Sequence, residues 1–110
     1  MVKEDLIQHR DQEPFNNIKN GTKTMEIRLN DEKRQAIKLN HIIKIVNRVD
    51  ENETLFVRVT GLSRFPSFEK MYNAFGDKIK KYEKEILEKV YSKEKESEYG
   101  VLAIHIELLS

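Results

Sequence analysis

The sequence predicts an α+β fold, a small curled sheet or barrel with short helices around it. Three observations carry that reading. Four runs have strand character, at residues 24–29, 42–46, 55–62 and 101–106. Apolar residues at helical spacing precede the first run and fill the interval between the third and the fourth. With 110 residues, the chain has room for one sheet and one core, so a single domain over residues 1–110 is expected.

Each element has a local reason. Phe15 and Ile18 sit three apart just before Asn20-Gly21, which suits a short helix with one apolar side, closed by Gly at a left-handed position; Pro14 fits its first turn. Residues 24–29 alternate, so Met25, Ile27 and Leu29 face one way and Thr24, Glu26 and Arg28 the other. Residues 31–36 are good helix formers in a stretch long enough for one or two turns only. Ile42-Ile43-Lys44-Ile45-Val46 and the run from Leu55 to Leu62 read as neighbouring strands of a hairpin, with Asp50, Glu51 and Asn52 supplying its turn. Ser67 is a candidate cap for a helix through Phe68, Met71, Tyr72 and Phe75, with Gly76 as its stop. Ile79, Tyr82, Ile86 and Val90 mark the apolar side of a second helix. Val101 to Ile106 is apolar almost throughout, as expected of a central strand covered on both faces.

Composition narrows the function. There are 20 Lys plus Arg against 19 Asp plus Glu, a net charge of +1, although 35% of residues are charged. That balance excludes a uniformly basic nucleic-acid coat and an acidic disordered tail. Residues 77–98 hold seven Lys and seven acids, the solvated face of a helix. The absence of Cys excludes disulfides, thiolate zinc sites and a cysteine nucleophile. The charged N-terminus and the lack of a long apolar run lead to the expectation of a cytoplasmic protein with no membrane partner.

The densest group of chemically capable side chains lies in residues 20–28. Lys23 stands at a strand entrance beside Gly21, and Thr24, Glu26 and Arg28 share a face. A cation, a carboxylate and a guanidinium on one side of a strand can bind a polar heterocycle, contact phosphate or act as an acid/base pair. The plainer reading is a solvent-facing ladder of salt bridges. Lys33 and Arg34 extend the basic character, interrupted by Asp31 and Glu32, so any phosphate patch is modest. Phe65, Phe68, Tyr72 and Tyr99 are aromatics able to stack a base, the middle two spaced more like core. His9, His41 and His105 are isolated, no metal cluster is legible, and no cofactor is expected.

The string Phe15-x-x-Ile18-x-x-Gly21-x-Lys23-Thr24-x-Glu26-x-Arg28, followed by Asp31-Glu32-Lys33-Arg34 and the Ile42-Ile43 strand, resembles the ASCH family, named for activating-signal-cointegrator homology. The C-terminal half resembles it too, through Phe65-Pro66-Ser67-Phe68-Glu69-Lys70-Met71, Tyr91-Ser92-Lys93-Glu94 and Tyr99-Gly100-Val101-Leu102-Ala103-Ile104. The resemblance spans roughly residues 10 to 107. It implies a PUA-like small β-barrel with flanking short helices and a helical insertion before the last strand, and an RNA-associated role. One bacterial branch of the family deacetylates 4-acetylcytidine with a Lys, a Thr and a Glu. Lys23 falls on the position of that Lys, whereas the Thr position, three residues on, is Glu26. At Leu39-Asn40-His41, where the family usually has Gly-Asp, Asn40 can keep the turn by adopting positive φ.

Three readings follow. In the first, the chain binds RNA or a modified nucleoside in a cleft through Gly21, Lys23, Thr24, Glu26, Arg28, Lys33 and Arg34. In the second, it is an amidohydrolase of acylated nucleosides with Lys23 and Glu26 as its catalytic pair. In the third, the charged helix of residues 79–95 is a protein-docking surface that lacks an apolar anchor.

Overall fold

The structure is a computed structural model that describes residues 3–76, 79 and 81–109. In chain order it contains β1 (Leu6–Arg10), α1 (Gln12–Lys19), β2 (Met25–Leu29), α2 (Glu32–Gln35), β3 (Ile42–Asn47), β4 (Thr54–Phe65), α3 (Phe68–Phe75), α4 (Lys81–Val90), α5 (Lys93–Tyr99) and β5 (Val101–Leu108). The strands form one five-stranded sheet in the order β1-β3-β4-β5-β2. This is the α+β, PUA-like class expected, with the helical insertion before the last strand in place.

Contacts divide the chain into two compact units. The first comprises Met1–Glu26, Lys38–Leu62 and Ile104–Ser110, and the second Ile27–Ile37 and Ser63–Ala103. In the first unit, β3 and β4 pair antiparallel, with Ile43 opposite Val57 and Ile45 opposite Leu55. These four side chains are buried together with Phe15 and Ile18 of α1, so the alternating strands and the helix stripe cover one another. In the second unit, Phe68 and Met71 of α3, Leu87 of α4, and Ile27 and Leu29 are buried. Phe68 stacks on Tyr72 and Tyr91, with ring centroids 6.1 and 5.9 Å away.

Most of the local expectations hold. The Ser67 side chain caps α3 by accepting from the Lys70 amide. Asp31 caps the single turn of α2 by accepting from the Arg34 amide. Asn40 takes φ +70°. His41 Nδ1 accepts the Lys38 amide at 3.2 Å, which makes it part of that turn. Val101, Leu102, Ala103 and Ile104 are consecutive and buried, as befits a strand lying between β4 and β2.

Three differences have physical causes. The first strand, β1, escapes a pattern search because its residues alternate only between half-buried and exposed; it is held by parallel pairing to β3, with Leu6 opposite Ile43. Gly76 follows α3 in a helical conformation, φ −48°, so it ends the helix without the left-handed geometry of a usual glycine stop. The residues proposed for the apolar side of the second helix do not form one buried stripe. Ile79 is buried, Ile86 and Val90 are 53% and 64% exposed, and the burial falls instead on Leu87. The side chain of Tyr82 lies outside the described residues. The charged stretch is two helices, α4 and α5, separated by Ser92, which caps the second by accepting from Lys95 N–H. Ile86 and Val90 also supply the exposed apolar pair that the sequence reading of this helix lacked. Among the described residues, no helix is long and apolar enough to cross a membrane.

Candidate functional site

In the first unit the loop after α1 sets the stage. Gly21 has φ +81°, and a Cβ there would meet nothing within 4 Å. It is needed for the backbone conformation and not for close approach of another group. The loop is fastened to the end of α1: the Lys23 amide donates to Asn17 O at 2.9 Å, and the Thr22 amide and hydroxyl donate to Asn20 Oδ1 at 3.0 and 2.7 Å. Lys23 is therefore half-buried on a fixed backbone, with Thr24 exposed beside it. Thr24 O accepts the Ile106 amide at 2.9 Å, which anchors the start of β2 on β5.

Glu26 overturns the solvent-facing ladder, because it is only 3% exposed. Its Oε1 accepts from Arg10 Nε at 3.1 Å, and the Arg10 side chain is itself 12% exposed. The guanidinium donates in addition to His9 O at 2.7 Å and to Gln8 Oε1. Arg10 sits on β1 and Glu26 on β2, the two edge strands of the sheet, so this ion pair links the edges of a curled sheet. A buried carboxylate is costly unless compensated, and the guanidinium supplies the compensation. Arg10 is the residue that the sequence reading missed. Its strand carries a weak alternation, and a partner sixteen positions away leaves no local trace.

The second unit holds the other predicted residues. Arg28 is half-buried and its Nη1 donates to Ile27 O at 2.7 Å. Arg34 is committed to Asp31, with Nη1 3.0 Å from Oδ2, so only part of its donor fork can face a ligand. Lys33 is exposed and lines an open cavity of about 220 Å³ with Leu29, Asp31, Glu32, Lys95 and Tyr99. The carboxylates of Glu98, Glu32 and Asp31, together with partial desolvation, push the Tyr99 phenol above its ordinary value, Glu98 contributing most. Of the seven ligand-binding candidates, Gly21, Lys23, Thr24 and Glu26 thus belong to the first unit, and Arg28, Lys33 and Arg34 to the second. Among the described residues, no cluster of three or more His, Asp or Glu could hold a metal.

Comparison with known proteins gives concordant results. The crystal structure of hypothetical protein PH0355 is similar at 32% identity and a TM-score of 0.75, over 94% of this chain and 98% of that one. The solution NMR structure of protein PF0455 from Pyrococcus furiosus is similar at 30% identity and a TM-score of 0.73, over 96% of this chain and 97% of that one. No curated protein matches. The ASCH domain family model matches residues 9–110, and with the Gly21–Arg28 segment and the sheet order already described, the chain belongs to the ASCH domain family.

Proposed function

We propose that the chain is an RNA-associated binding module that takes a single base or modified nucleoside at the segment from Gly21 to Glu26. The observation that carries this reading is the buried Arg10–Glu26 ion pair directly following a loop that holds Lys23 half-buried and leaves Thr24 open. A buried ion pair stabilises a fold no better than well-packed apolar residues do, so its presence beside polar groups fits a recognition role. Glu26 is buried and held by Arg10, so it does not itself reach a ligand; its charge beneath the segment repels phosphate, which favours a base edge over the backbone there. Lys23 and Thr24 supply donors beside it.

Binding of cytidine and of short single-stranded RNA to wild type and Lys23→Ala tests this. Affinity is expected to fall about tenfold in the variant, the effect of losing one charge-assisted hydrogen bond. Equal affinity in the two proteins overturns the reading.

The amidohydrolase reading places Lys23 as general base with Glu26 paired to it. It is weaker because Arg10 already engages Glu26. Cytidine release from 4-acetylcytidine that disappears in Lys23→Ala would reverse the ranking.

A further inference from the structure

We propose that the open cavity of the second unit is a separate binding site for a nucleoside monophosphate unit, its base against Leu29 and Tyr99 and its phosphate held by Lys33 and Lys95. This site is independent of the Lys23–Glu26 reading, since none of its residues belongs to that segment.

The cavity, at about 220 Å³, is smaller than the roughly 300–1,000 Å³ of drug-sized pockets, which suits one ring system with its polar end at the open rim. Its chemistry is divided. Leu29 is buried at 2% exposure and supplies an apolar floor, while Tyr99 is half-buried and gives an aromatic wall. A base has two such requirements, apolar contact and a π-face.

The ammonium groups of Lys33 and Lys95 are exposed and make no ion pair or hydrogen bond with the described residues. Of the neighbouring acids, Asp31 takes the Arg34 amide at 3.1 Å and the Arg34 guanidinium at 3.0 Å. Glu32 remains as an acceptor for an exocyclic amine. Two uncommitted cations, a stacking ring and the Glu32 acceptor together select a nucleotide over inorganic phosphate, which uses only the cations, and over a nucleoside, which uses only the rest.

The test is a titration of the full chain, followed by amide NMR, with adenosine monophosphate, adenosine, inorganic phosphate and a short single-stranded oligoadenylate. Adenosine monophosphate is expected to shift amides in residues 29–33 and 95–99 saturably, in wild type and in Lys23→Ala alike. Adenosine is expected to bind about tenfold more weakly, and a Lys33→Ala/Lys95→Ala double variant to show the same loss for the monophosphate. The oligoadenylate shifting the same amides identifies the nucleotide as part of a strand, whereas a response to the free mononucleotide alone identifies a metabolite; both support the site. Unshifted amides in these segments, unchanged affinity in the double variant, or equal affinity for inorganic phosphate overturn it. Failure here with Lys23-dependent RNA binding intact removes this site and leaves the other.

Discussion

At the scale of single residues, Arg10 and Glu26 show how a side chain's meaning depends on a partner the sequence does not display. Glu26 occupies an alternating strand, and alternation alone assigns it to the polar face. The curl of the sheet brings Arg10 to it and buries both. Arg10→Ala is expected to destabilise the protein by about 3–5 kcal/mol, since it leaves a buried carboxylate uncompensated, and Arg10→Met combined with Glu26→Gln to recover most of that loss. Urea denaturation measures both, and a single-variant loss below about 1 kcal/mol would show the pair to be solvated. Gly21 was legible for a different reason, because its requirement is written in one residue. Gly100 has φ +75° and ψ −171°, a region open essentially to glycine alone, and a Cβ there would lie 2.9 Å from Phe65 O. Gly21 has a similar φ but open space around it. Gly100→Ala is therefore expected to lower the thermal midpoint clearly more than Gly21→Ala, and equal losses would mean that the close carbonyl exerts no effect.

At the scale of elements, those with strong internal patterns were readable and those held by neighbours were not. β2, the β3–β4 hairpin, α3 and β5 carry their period, cap or apolar run within themselves. β1 forms because β3 offers it a parallel edge, and α4 buries Leu87 while exposing Ile86 and Val90, a choice made by packing among equally apolar residues. The hairpin adds a feature beyond its turn residues. Asn47 is fully buried, and its Nδ2 donates to Glu53 Oε1 at 2.9 Å and to Gln12 Oε1 at 3.1 Å. The Asn47 hydrogen bond, then that from Lys19, hold the Glu53 carboxyl below its ordinary value of 4.5, against a smaller opposing effect of desolvation. A group whose pKa is lowered on folding contributes stability above its unfolded value and loses it as pH falls through the folded one. Acidification from neutral pH to below the ordinary glutamate range should thus destabilise wild type more than Glu53→Gln, as read from urea midpoints. Parallel decline of the two proteins would remove Glu53 from the acid response.

At the scale of the whole molecule, the charge balance of +1 and the local site belong together. Residues 1–62 carry eleven basic and ten acidic side chains, so neither half supplies a bulk field for RNA, and the recognition proposed above rests on local groups such as Lys23 beside the Arg10–Glu26 pair. Family membership was legible because the Gly21–Arg28 string and the closing Tyr99–Ile104 string are both local patterns, and the matched region, residues 9–110, includes both. The distribution of Arg28, Lys33 and Arg34 was not legible, because contacts between distant segments decide which unit each joins, whereas the pairing of Arg34 with Asp31 is a local contact three residues apart. The proposed recognition of a base by the Gly21–Glu26 segment is tested directly by isothermal titration of cytidine and a short single-stranded RNA into wild type and Lys23→Ala. Measurable binding with a shallow salt dependence is expected, reduced about tenfold in the variant. Identical isotherms for the two proteins, or no binding by either, would contradict it.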